Sequence, residues 1–93
     1  MVRYVVEMFG LPYEIAGRRE VEIKVEDGAS LGDIIAALRR EIPALEGNII
    51  RAGEDRLDER YMFNINGRFY LDNEELKLKD GDRLRLLTLA TAG

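Results

Sequence analysis

The side chains that carry most enzyme chemistry are missing from this sequence. It holds no histidine and no cysteine, and its one serine is Ser30. Imidazole and thiolate are the usual general bases, nucleophiles and zinc ligands, so those mechanisms lose their ordinary carriers. Carboxylates remain, and a pair of them can run acid–base chemistry or hold a hard cation. Here they are spread along strand-like and turn-like stretches at no ligand spacing. The densest run, Glu54-Asp55-Arg56-Leu57-Asp58-Glu59-Arg60, mixes both signs and reads as a solvated loop. These residue types point away from an enzyme, and the chain is expected to bind no metal and no cofactor.

Bulk composition narrows the class further. Ninety-three residues suit one domain, and 46% hydrophobic with 34% charged residues fits a compact fold rather than a disordered chain. The net charge is -4 and no segment gathers Lys and Arg into a stripe, so no nucleic-acid partner is expected. In Met1-Val2-Arg3-Tyr4-Val5-Val6-Glu7, Glu7 stands where a secretory signal needs an unbroken apolar run, and no stretch has the length of a membrane-spanning helix. The expectation is a soluble, cytoplasmic protein without membrane contact.

The elements follow from periodicity. Val2 to Phe9 alternates, with Val2, Tyr4, Val6 and Met8 on one face and Arg3, Val5, Glu7 and Phe9 on the other, which predicts a half-buried strand. Gly10, Pro12 and Gly17 punctuate a loop. Glu20 to Glu26 alternates again, placing Val21, Ile23 and Val25 together, and the two segments read as an antiparallel hairpin. Ser30 is a good N-cap, and Asp33 sits where an acid favours the positive end of a helix. Leu31, Ile34, Ile35, Leu38 and Ile42 give that helix one apolar face, Arg39 and Arg40 suit its negative end, and Pro43 stops it. Residues 44–60 are patternless apart from Ile49-Ile50 and a short helical turn. Tyr61 to Asn66 is a strand, Asn66-Gly67 a turn, and Phe69 and Leu71 mark a short strand. Asp80-Gly81-Asp82 turns into a last strand, Arg83 to Leu89, with Leu84 and Leu86 on the face opposite Arg83, Arg85, Leu87 and Leu89. The class is α+β, with four to five strands in a mixed sheet packed against one main helix.

Three features of the second half carry a resemblance: the run Phe63-Asn64-Ile65-Asn66-Gly67-Arg68, Leu76, and Asp80-Gly81-Asp82-Arg83-Leu84 leading into an apolar strand that ends at glycine. Asp27-Gly28-Ala29-Ser30-Leu31-Gly32-Asp33, opening the helix, agrees with it. Together these resemble the MoaD/ThiS family of sulfur-carrier proteins across nearly the whole chain. The resemblance implies the ubiquitin-like β-grasp fold over residues 1–93, with first and last strands paired at the sheet centre and a flexible tail over 90–93. It also implies that the working group is the C-terminal carboxylate of Gly93. In this family an activating enzyme of the MoeB/ThiF type uses ATP to adenylate that carboxylate, and sulfur then replaces the adenylate to give a thiocarboxylate. The length between helix and third strand favours the MoaD branch, which supplies sulfur to molybdopterin or tungstopterin inside a complex with a MoaE-like large subunit.

The tail fits that chemistry, since Ala90, Thr91, Ala92 and Gly93 are small and uncharged and could thread a narrow channel. It departs from the family at one point: Ala92-Gly93 stands where Gly-Gly is usual. Three explanations remain open: a tolerant activating enzyme, a relative that no longer carries sulfur, or an altered end. Phe9, Val5, Leu87 and Leu89 fall on the strand face away from the expected core, and Phe69 follows the Asn66-Gly67 turn, so they form a candidate docking patch that the tail extends, with Arg68, Arg83 and Arg85 as a charged rim. By the same resemblance, Phe9, Phe69 and Leu87 match positions that the family uses as a hydrophobic contact patch. Conjugation through Gly93 to lysines of other proteins, and a β-grasp interaction module without conjugation, are the alternative functions.

Overall fold

The computed structural model describes residues 1–70 and 78–89. Five strands, β1 (Val2–Met8), β2 (Glu20–Val25), β3 (Tyr61–Ile65), β4 (Arg68–Tyr70) and β5 (Arg83–Thr88), form one sheet in the order β2-β1-β5-β3-β4. β1 and β5 pair in parallel at the centre, Val6 beside Leu84 and Met8 beside Leu86, and every other pairing is antiparallel. This is the β-grasp arrangement, with first and last strands adjacent as expected.

The inner face of β1, β2 and β5 is the alternation read from the sequence, and β3 adds Tyr61, Phe63 and Ile65 by the same period. Tyr4, Val6, Met8, Val21, Ile23, Val25, Tyr61, Phe63, Ile65, Leu84 and Leu86 are all buried. The helix α2 (Leu31–Glu41) covers that face with Leu31, Ile34, Ile35, Ala37 and Leu38. Its start is a full capping box: Ser30 Oγ accepts from the Asp33 N–H at 3.1 Å, and Asp33 Oδ2 accepts from the Ser30 N–H at 3.0 Å. Hydrophobic transfer of side chains such as Phe63 and Ile23 out of water, about 1.5–3 kcal/mol each, is the main force holding sheet and helix together.

Two stretches differ from the sequence reading. The connection after β1 is not a plain loop but a helix, α1 (Leu11–Ala16), with Pro12 in its first turn and Gly17 closing it at φ 72 in the left-handed region. The Gly and Pro taken as loop punctuation are here the start and stop of a short helix, because Pro presets φ for the first turn and glycine carries the αL cap without a Cβ penalty. Residues 44–60 do contain a short 3-10 turn, η1 (Pro43–Leu45), and mostly irregular chain. They add more to the core than their pattern promised, since Leu45, Ile49 and Ile50 are fully buried. Isolated bonds rather than a ladder hold that segment: the Ile49 and Ile50 N–H groups both donate to Leu45 O at 2.9 Å, and the Arg51 N–H donates to Arg56 O at 2.9 Å. Period-based reading cannot find an element stabilised this way.

Candidate functional site

β5 runs up the middle of the sheet and delivers the end of the chain. Its outer face is built by register. Glu7 pairs with Arg85, Arg85 with Asn64, and Asn64 with Phe69, so these four residues form one row across β1, β5, β3 and β4. The next row toward the C-terminus holds Leu87 opposite Met62. Phe9 follows Met8, the partner of Leu86, and a Cβ at Gly10 would lie 3.8 Å from Thr88 Oγ1, so Phe9 comes in beside Leu87.

Phe9, Leu87 and Met62 therefore lie side by side, with Phe69 one row away. Phe9 is 44% exposed and Phe69 49% exposed, a large apolar area for two aromatic rings in water. Leu89 is also exposed, and its amide donates to Arg60 O at 2.7 Å, one step past the Tyr61–Thr88 pair. Ala90, Thr91, Ala92 and Gly93 lie outside the described residues, as do Leu71 and Leu76.

Three residues of the outer apolar surface, half-buried Met62 and exposed Leu11 and Tyr13, escaped the sequence reading. Met62 was taken simply as part of a strand, although alternation with buried Tyr61 and Phe63 places it outward. Leu11 and Tyr13 were read as loop; on α1 they stand exposed beyond Phe9, with the Arg19 guanidinium 6.0 Å from the Tyr13 ring centroid. Pro12 and Gly17 were the signal for that helix.

Charge borders the apolar row on one side. Glu7 Oε1 stands 3.6 Å from Arg85 Nε and 3.8 Å from Arg83 Nε, and Arg83 also pairs with Glu20. Of the three arginines expected at the rim, Arg83 and Arg85 are thus there with their charge answered within the chain, and Arg68 lies on β4; such surface pairs contribute under about 1 kcal/mol each. At the other side the Arg60 side chain and backbone N–H hold the Asp58 carboxyl below its usual range, and Asp58 in turn raises Arg60. Among the described residues no group of three or more acidic side chains converges as a metal site would need. No helix among them is long and apolar enough to cross a membrane.

A last strand paired in parallel with the first at the centre of the sheet, with an apolar row on its outer face, defines a ubiquitin-like β-grasp domain. The ThiS family model matches residues 6–93, and the chain belongs to that family. Among relatives, it is 28% identical over 80 residues to small archaeal modifier protein 3 of Haloferax volcanii, covering 86% of this chain and 87% of that one. The crystal structure of SAMP1 from Haloferax volcanii superimposes with a TM-score of 0.79 at 27% identity, over 98% of this chain and 99% of the other. A Pyrococcus furiosus protein assigned as molybdopterin converting factor, subunit 1, shares the fold at TM-score 0.71 and 24% identity, over 97% of this chain and 100% of its own.

Proposed function

We propose that this chain is a sulfur carrier whose reactive group is the carboxylate of Gly93. An activating enzyme of the MoeB/ThiF type would bind the outer face, place the tail in its site and join the carboxylate to the AMP of ATP, releasing pyrophosphate. A sulfur donor would then displace AMP and leave a thiocarboxylate, the form that donates sulfur. The observation carrying this reading is that the family match runs to Gly93 itself, four residues beyond Leu89. The inert body supports it, because a chain without cysteine offers no thiol to intercept the transferred sulfur. Supply to molybdopterin or tungstopterin through a MoaE-like large subunit is the preferred destination.

One observation favours a second use of the same activated end. The relatives and structures at 27–28% identity are small archaeal modifier proteins, which supports attachment of Gly93 to lysines of other proteins. Adenylation is common to both readings, and the acceptor separates them. The protein is incubated with ATP, a cognate activating enzyme and a sulfur source, then weighed. A mass gain equal to sulfur replacing oxygen is expected, and its absence removes the carrier reading. Isopeptide-linked adducts in cell extracts, lost on deleting Gly93, would establish the modifier reading.

A further inference from the structure

The segment that must reach a partner's site begins where the folded body lets go of the chain, and that point is specifically built. β5 ends at Thr88, yet the backbone ladder continues for one more bond, Leu89 N–H to Arg60 O at 2.7 Å. Arg60 lies before β3 in irregular chain, where nothing in the sheet fixes its carbonyl. Asp58 fixes it instead. Its Oδ1 accepts both from the Arg60 backbone N–H at 3.0 Å and from Arg60 Nε at 2.8 Å, and its carbonyl accepts from the Tyr61 N–H at 2.9 Å. The Arg60 guanidinium lies over the Tyr61 ring, 5.6 Å from its centroid. Asp58 is itself tied inward, because its N–H donates at 2.8 Å to the carbonyl of Ile49, a fully buried residue. A run of bonds thus connects the core, through Asp58 and Arg60, to Leu89.

We propose that Asp58 and Arg60 form a latch that sets the departure point of the C-terminal segment, making Asp58 a positioning residue for chemistry at Gly93. The inference rests on the carrier reading above. Four residues, 90–93, follow Leu89 and span at most about 14 Å when extended. With the latch closed, the tether starts at Leu89, next to the outer face that carries Phe9 and Leu87, and its reach is limited by the residues that follow. Releasing Leu89 and the residue before it would lengthen the tether by about 7 Å and let the carboxylate wander relative to the docked body. Docking through the patch would be unchanged while the population of correctly placed ends falls, so the cost appears in kcat and not in KM.

The test compares the wild-type full chain with Asp58→Ala, Asp58→Asn and, as a control in the same loop, Asp55→Ala. Amide hydrogen exchange is followed at Leu89, with Leu84 and Leu86 as internal references, and ATP–pyrophosphate exchange is measured with the activating enzyme. Asp58→Ala should raise Leu89 exchange roughly tenfold, the equivalent of one ordinary hydrogen bond, with Leu84 and Leu86 unmoved. It should lower kcat roughly tenfold at constant KM. Asp58→Asn keeps an acceptor oxygen and should recover most of both; Asp55→Ala should change neither. Unaltered Leu89 exchange in Asp58→Ala overturns the latch, and faster exchange with kcat intact overturns the positioning role. If exchange at Leu84 and Leu86 rises as well, Asp58→Asn decides: kcat lost without excess Leu89 exchange sinks the proposal. A wild-type chain that is never adenylated removes the carrier reading and the positioning role with it, while Leu89 exchange still judges the latch.

Discussion

The backbone N–H of Arg3 donates to Asp80 Oδ1 at 2.6 Å, joining positions 77 residues apart. The Gly81 N–H returns a bond to Arg3 O at 2.7 Å, and the Val5 N–H donates to Asp82 O at 3.0 Å. The Asp80-Gly81-Asp82 turn is therefore more than a reversal before β5: it is bolted to the start of β1 and sets the register of the central parallel pair. Asp80→Ala removes the acceptor and leaves the Arg3 N–H to water, since this end of the sheet is exposed. The expected loss is about 1 kcal/mol, read as a fall in urea midpoint with unchanged slope, or roughly 4–8 °C in Tm. A variant as stable as wild type would show that the turn is held by its backbone bonds alone.

The helix start gives an acid-side prediction. The backbone N–H and then the hydroxyl of Ser30 hold the Asp33 carboxyl below its ordinary 3.8, and Arg60 does the same for Asp58. Carboxyls lowered in the folded state contribute stability that is complete above the unfolded value and lost as pH falls through the lower folded value. Ser30→Ala should cost about 1 kcal/mol at neutral pH. Its difference from wild type should shrink as pH falls below about 3.8, because Asp33 is then protonated and loses the charge that the Ser30 hydroxyl helps to stabilise. Chemical denaturation of both proteins from about pH 7 down to about pH 2 provides the measurement.

On the alkaline side the group to watch is Tyr4. Burial in the core raises its hydroxyl above the ordinary 10.0, and the charges of Asp27, Asp82 and Asp80 push in the same direction. A raised folded value means that the contribution is full below 10.0 and fades as pH rises through the folded value, because only the unfolded chain ionises freely. Wild type should lose stability above about pH 10, and Tyr4→Phe, which cannot ionise, should lose less over the same range. Parallel alkaline curves for the two proteins would assign the effect to other groups.

How far the sequence foretold the molecule depends on the kind of order involved. Alternation placed Val6, Ile23 and Leu84 inside correctly because strand faces have period two and one face is dry. Helix capping was legible because Ser30 and Asp33 are three residues apart. Residues 11–16 were misread since a helix of six residues has too few turns to display a stripe, leaving Pro12 and Gly17 as its signals. Ile49 and Ile50 looked like a minor apolar point because the chain around them is held by single bonds to Leu45 and Asp58, which have no period. Of the site, Phe9, Leu87 and Leu89 were found by counting faces, whereas Met62 beside Leu87 needed the β3–β5 register. Asp58 was hidden inside what read as a solvated charge run; only the fold brings Arg60 to Leu89.

The last prediction concerns the apolar row. Phe9 stands beyond β1 with 44% of its surface in water, so truncating it removes little that the fold depends on. Buried beneath a partner, the same ring would leave water almost completely, and central aromatic anchors of this kind commonly cost more than 1 kcal/mol when cut to alanine, with the largest at 2 or above. Phe9→Ala should therefore weaken binding to the activating enzyme roughly tenfold or more, by calorimetry or as KM, while Tm moves by less than about 4 °C. Leu87 is half-buried, so Leu87→Ala should weaken binding similarly but also lower Tm, through lost packing against Met62. Lys24→Ala provides the contrast, since Lys24 lies on β2, at the sheet edge away from β5, and neither quantity should change. Equal weakening by Phe9→Ala and Lys24→Ala would place the partner on β2 instead. A Phe9→Ala protein that binds as wild type does would mean that the exposed ring covers nothing, and the outer face of β5 would cease to be the docking surface.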